Sequence, residues 1–210
     1  GLNNNRYRAL LSSATCTSPT TSNNAQLTVR QTPTVTLSPG ALTSLLPGQT
    51  TTLSAVASAS TGGTQTLTWN FNGAASNPPI TGTSHVVNVE RIGDYQVTIA
   101  ETFTNPALTC SSSSAVVKID ATASPRLFVF PTPNDGRFTV SYYNNGGTTT
   151  KRKVVIFDSK GTMIYSKEFN ISGLYTLIPI DIQSASRGIY YVVVGTANGT
   201  KLAEAKVHVR

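Results

Sequence analysis

Apolar and polar residues alternate with a period of two along much of the chain, the pattern of strands that bury one face. In 50–57, Leu53, Ala55 and Ala57 share a side, and in 67–71 Leu67, Trp69 and Phe71 do. Strands are also predicted at 35–37, 85–89, 95–99 and 115–119. Pro47-Gly48, Gly62-Gly63, Asn77-Pro78-Pro79 and Gly93-Asp94 punctuate them. A second run of seven is predicted at 127–130, 137–143, 153–158, 163–169, 174–181, 188–195 and 201–209. Asp135-Gly136, Asn145-Gly146-Gly147, Ser159-Lys160-Gly161 and Asn198-Gly199 fall where hairpins turn. Ala121-Thr122-Ala123-Ser124-Pro125 is a small-residue linker between the runs. No long Lys/Glu/Ala-rich segment offers an amphipathic helix, so the chain reads as all-β.

A weak repeat marks the organisation. Tyr7-Arg8-Ala9-Leu10-Leu11, Cys16, a Ser/Thr-rich turn and Ala25-Gln26-Leu27-Thr28-Val29 recur about 90 residues later. The second copy is Tyr95-Gln96-Val97-Thr98-Ile99, Cys110, four serines and Ala115-Val116-Val117-Lys118-Ile119. The repeat predicts tandem modules of immunoglobulin-like size. Residues 1–30 would be the last strands of a preceding module, 31–123 an immunoglobulin-like sandwich with Trp69 in its core, and 124–210 a second sandwich. With no Met at Gly1 and no export signal, the expectation is the C-terminal piece of a longer precursor.

Charge sharpens the division. Only 12% of residues are charged, and Thr and Ser take the exposed strand positions, as in secreted β-sheet proteins. Residues 1–123 hold five Lys/Arg against four Asp/Glu, and 124–210 eleven against five. A basic surface suits nucleic acid, anionic lipid or an acidic protein. Its cations are scattered, with Lys151-Arg152-Lys153 the only run, so no stripe for nucleic acid is expected. No stretch reaches the roughly 18 apolar residues of a membrane helix.

Few residues suggest chemistry. Cys16 and Cys110 hold equivalent places in different modules, so a mutual bond would join two domains, and Cys16 is open to a partner upstream. His85 and His208 lie on strands without the spacing of metal ligands and are expected at the surface. Asn134-Asp135-Gly136 is too short for a calcium loop, and Asp94, Asp158 and Asp181 form no carboxylate pair. No catalytic residue, cofactor or metal site is predicted.

The strongest signal is an ordered set of blocks in the last eighty-odd residues. Phe130-Pro131-Thr132-Pro133-Asn134-Asp135-Gly136 comes first, with two prolines that stiffen an extended approach to a hairpin. Val155-Ile156-Phe157-Asp158-Ser159-Lys160-Gly161 follows, then Gly188-Ile189-Tyr190-Tyr191-Val192, and last the strand 201–210. In that strand Ala203, Ala205, Val207 and Val209 are expected inward, with Leu202, Glu204, Lys206 and His208 on a charged outer face. Gly188 would permit a close approach or positive φ, and Tyr190 would cover the core with its hydroxyl in water.

This order resembles the type A C-terminal sorting domain carried by cargo of the type IX secretion system in Bacteroidota. Thr132 stands where that family usually has Asn. The resemblance implies an export label docking on an outer-membrane β-barrel shuttle protein and passing the translocon. It also implies removal of the tail by a transpeptidase that joins the cargo to lipopolysaccharide. Partner-binding residues would be Phe130, Pro131, Pro133, Asn134, Gly136, Gly188, Tyr190, Lys206, Val207, Val209 and Arg210. The upstream modules would be stalk or adhesin repeats. The alternative is a carbohydrate-binding 31–123 module, which would need an exposed aromatic such as Trp69.

Overall fold

The computed structural model describes residues 2–210, the side chains of Cys16 and Thr17 excepted. The chain opens with a long, interrupted hairpin. Strands β1 (Arg6–Tyr7) and β2 (Leu10–Ser13) run outward, and β3 (Cys16–Thr21) and β4 (Ala25–Gln26) return. β2 pairs with β3 and β1 with β4, both antiparallel. Leu10 and Leu11 are exposed, so among the described residues no second sheet covers the hairpin.

The first sandwich comprises β5 (Val35–Ser38), β6 (Ser44–Leu45), β7 (Thr51–Ala57), β8 (Thr64–Phe71), β9 (Ala74–Ala75), β10 (Ser84–Val87), β11 (Gly93–Thr104), β12 (Ala107–Ser113) and β13 (Val117–Ala121). One sheet runs β10-β7-β5. The other runs β6-β13-β11-β8-β9, with β12 beside β11 beyond β13. Period-two burial fills the gap, as Leu53, Trp69, Val97 and Ile99 pack between the sheets. Trp69 donates its Nε1–H to the Gly82 carbonyl at 2.9 Å. The Tyr95 hydroxyl donates to the Arg91 carbonyl, the tyrosine corner of immunoglobulin-like sandwiches. Burial pushes the Tyr95 phenol up to about 12, against the opposing pull of the Arg91 charge.

Two expectations change here. The four serines after Cys110 are no turn: Ser111–Ser113 belong to β12, which pairs with β11 far beyond the predicted end at 99. Both strands are polar there because hydroxyls pair across them, Thr98 with Ser113 at 2.9 Å and Thr102 with Thr109 at 3.2 Å. His85 is not a surface histidine. It shares the inward parity of Val87, and its ring lies 6.1 Å from Trp69 and 5.8 Å from Tyr95. Burial, reinforced by the Arg91 charge, lowers its pKa. Cys110 carries a free thiol, and the Cys16 side chain lies outside the described residues.

Glu101 interrupts the inward row of β11 and is inaccessible to solvent. Burial alone would raise its pKa. The N–H groups of Gly63 and Thr61, the Ser60 hydroxyl and the Gln65 amide outweigh that and hold it at about 2. A hydrogen-bonded carboxylate thus ties the Ser60-Thr61-Gly62-Gly63 turn to the strand end.

The second sandwich has the seven strands expected: β14 (Phe128–Phe130), β15 (Arg137–Ser141), β16 (Thr150–Phe157), β17 (Met163–Ile171), β18 (Ile178–Asp181), β19 (Gly188–Thr196) and β20 (Lys201–Val209). Its sheets are β14-β15-β18 and β17-β16-β19-β20. Val140, Val154, Ile156, Val192 and Val207 are among the core residues between them. Strand for strand this repeats the first sandwich. β14, β15 and β18 stand as β5, β7 and β10 do, and β17, β16, β19 and β20 as β9, β8, β11 and β12–β13 do. The chain is two tandem immunoglobulin-like β-sandwiches.

The short linker does not leave them independent. Tyr175, in the segment before β18, is 3% exposed and packs into the core of the first sandwich. Its hydroxyl donates to the Thr122 carbonyl at 2.8 Å. The rings of Phe128 and Tyr143 stand 5.9 and 5.4 Å from it. Thr122 donates its own N–H to Leu45, so the linker is tied on both sides.

Candidate functional site

The proline segment 130–136 carries the chain from one sheet of the second sandwich to the other. Prolines 131 and 133 cannot donate to a ladder, so the segment leaves β14 as an exposed strap. It then meets the last strand at Asn134, which forms a parallel bridge with Val209. The Asn134 N–H donates to the His208 carbonyl at 3.0 Å, and the Arg210 N–H donates to the Asn134 carbonyl at 2.8 Å.

The Asn134 side chain closes the strap on itself. Its Nδ2 donates to the Pro131 carbonyl at 2.8 Å, and its Oδ1 accepts from the Gly136 N–H at 2.8 Å. Asn134 is buried, with backbone and side chain both engaged, so it fixes the site instead of facing a partner. Gly136 has φ of +97°, and a Cβ there would lie 2.7 Å from the Gln183 Cα. Only glycine meets both conditions.

Thr132, the departure from the family pattern, is also engaged. Its Oγ1 accepts the His208 N–H at 3.2 Å. Strap and terminal strand are therefore joined at 132 and 134 on one side and at 208 and 210 on the other.

Tyr190 is buried, and its hydroxyl donates to the Ser186 carbonyl four residues upstream. The expectation that this hydroxyl stays in water is corrected: it is a second tyrosine corner, because β19 holds the place of β11. Gly188 has no positive φ, and a Cβ would meet nothing within 4 Å. Neither reason for a glycine at 188 holds in this backbone. The last strand alternates as predicted, with Ala203, Val207 and Val209 buried, and Lys206 and Arg210 exposed.

The eleven candidates thus divide. Pro131, Pro133, Lys206 and Arg210 are exposed, and Phe130 and Gly188 are half-buried. Asn134, Gly136, Tyr190, Val207 and Val209 are buried and act through the fold. Sequence reading missed Tyr143 and Tyr175, whose aromatic character is plain but whose target is another module. Among the described residues no group of three His, Cys, Asp or Glu converges on a metal position. No helix is long and apolar enough to cross a membrane.

Residues 128–208 match the family model described as the secretion system C-terminal sorting domain. No curated protein matches the chain. Among solved structures, a Parabacteroides merdae β-glucuronidase with glycerol in its active site is similar at 12% identity and a TM-score of 0.31. The match covers 86% of this chain and 25% of that one, so the chain spans about a quarter of that enzyme's length. Fibronectin(III)-like modules of Clostridium thermocellum CbhA are similar at 13% identity and a TM-score of 0.30, over 84% of this chain and 94% of theirs. The family match begins with β14 and ends within β20, so it takes in both the strap and the strand it holds. The last domain of this chain belongs to the type IX secretion C-terminal sorting domains, which mark cargo for export to the cell surface or beyond.

Proposed function

We propose that residues 124–210 act by docking on the type IX outer-membrane β-barrel shuttle and then on the translocon. Lipopolysaccharide is joined to the cargo when the tail is removed. The observation that carries this reading is the hydrogen-bonded union of the strap with the terminal strand, inside the segment the sorting family matches. It ties the strap that carries Pro131 and Pro133 to the strand that carries Lys206 and Arg210, and a surface held in this way loses little freedom on binding. The tail has no catalytic role. The first sandwich serves as a stalk or adhesin repeat, and residues 1–30 are the end of another such repeat. A carbohydrate platform at Trp69 is disfavoured, because that ring is 2% exposed.

Two reporter fusions in a type IX-competent host test the reading, one carrying 124–210 and one carrying 31–210. The second keeps Tyr175 covered. Export of the 31–210 fusion is expected, and a reporter left in the periplasm by both rejects the proposal.

A further inference from the structure

Between the two sandwiches lies a groove of about 540 Å³. Pro47 and Gly48 of the first sandwich form one wall, and Arg126, Phe130, Thr132 and Lys206 contribute to the other. Neither sandwich makes the groove alone. It runs between two sheet margins, since β14 and β20 are each outermost in their sheets.

Apart from its pairing with the strap at 208–210, the margin of β20 is unpaired. His208 directs its N–H to Thr132 and its carbonyl to Asn134, both away from β19. Peptide direction alternates along a strand, so Glu204 and Lys206 point the same way. Among the described residues no backbone hydrogen bond meets either on that side. An unpaired margin of this kind is a template for another strand.

Charge selects the occupant. Arg126 and Lys206 take part in none of the ion pairs among the described residues, no acidic residue lines the groove, and the Glu204 carboxylate at its margin is paired with Lys201 at 2.9 Å. Lys206 is held 5.5 Å over the Tyr191 ring and Arg126 6.0 Å over Phe128. Apolar wall and fixed cations together fit a strand that alternates apolar and acidic side chains. We infer that the groove binds an extended acidic segment of a partner protein, which adds as a strand to β20. This rests on the proposed docking role and extends its recognition surface across the domain boundary.

The probe is a dye-labelled hexapeptide alternating glutamate and valine, titrated with the 1–210 chain and followed by fluorescence anisotropy. Saturable binding is expected, with none for the lysine–valine counterpart. The double variant Arg126→Glu, Lys206→Glu should weaken binding about tenfold or more. Glu204→Pro should do the same while leaving the fold intact, because that N–H has no partner to lose, and thermal melts check this. Equal binding of the lysine peptide, undiminished binding by the variants, or binding of phosphatidylglycerol vesicles in place of the peptide overturns the inference. The same variants are then carried on the exported 31–210 fusion. Wild-type export by Glu204→Pro also overturns the groove's role and leaves the sorting reading intact. Failure of the unmodified fusion removes the sorting reading, while the peptide result stands by itself.

Discussion

In the first sandwich the chain crosses between sheets at β6, where Leu45 is fully buried and its backbone pairs in parallel with Ala121. In the second the same crossing is made at Asn134, which pairs in parallel with Val209 and spends its side chain on the Pro131 carbonyl and the Gly136 N–H. Both crossings are hydrogen-bonded through the backbone, but the side chain that closes the first is a buried apolar group and the one that closes the second a hydrogen-bonded polar one. Burial is non-directional and tolerates small shifts of the strand it anchors. A network of four hydrogen bonds through Asn134 fixes position and register. The sorting domain uses the more exacting closure.

Substitutions that remove each anchor test this contrast, beginning with the contact that joins the two halves. Tyr175→Ala takes a buried ring from the core of the first sandwich and should cost about 4 kcal/mol. One urea transition should become two as the sandwiches uncouple, and a single unchanged transition would show the junction to be energetically idle. Leu45→Ala should cost about 3 kcal/mol and leave the terminal strand protected from hydrogen exchange. Asn134→Ala should cost less, about 2 kcal/mol, yet expose the amides of His208 and Arg210 to rapid exchange. If Leu45→Ala frees the terminus and Asn134→Ala does not, the assignment of directional closure to the second sandwich is wrong.

Much of this was legible in sequence because it is local. Period-two burial, the turn glycines and the inward set of β20 follow from alternation within one strand. Trp69 follows from its neighbours Leu67 and Phe71. The ordered blocks of the tail were legible as a set. What they do was less so, since Asn134 and Tyr190 looked like surface for a partner and are buried braces. Both donate to carbonyls only three or four residues upstream, and periodicity says nothing of where a side chain's hydrogen bond goes. The polar strand β12 was hidden because its faces are not covered, so no apolar alternation marks it. Glu101 was hidden for the opposite reason: a charge on an inward position reads as a break in a strand unless its donors in the 60–65 turn are known. The junction at Tyr175 joins residues 53 apart across a linker, and no single-strand pattern reports it.

The twin tyrosine corners offer a smaller, symmetric test. Tyr95→Phe and Tyr190→Phe each remove one donor to a main-chain carbonyl, and each should cost about 1 kcal/mol. Equal losses by urea unfolding would mark the corners as equivalent parts of one architecture. A loss confined to export, with stability unchanged, would instead return Tyr190 to the docking surface.

The smallest effect separates the sandwiches by pH. His85 has its pKa lowered below 6.5 by burial and the Arg91 charge, so the folded state favours the neutral ring. The unfolded chain then binds the extra proton first, and stability that is complete above 6.5 falls as pH drops below it. Glu101 acts in the same direction lower down, with its contribution present above 4.5 and lost as pH falls toward about 2. In the second sandwich the lowered carboxyls are Asp158, held mainly by the Thr162 N–H, and Asp181, held mainly by the Gln183 N–H. Their contribution is present above 3.8 and lost only below it. Between about pH 6.5 and 4.5 the first sandwich alone should therefore soften. Trp69, the single tryptophan, reports that sandwich in urea titrations, while methyl resonances of Val154 and Val192 report the other. His85→Phe keeps a ring against Trp69 and Tyr95 and should flatten the slope of the first signal without moving the second. A slope that survives the substitution would show that another group drives the difference.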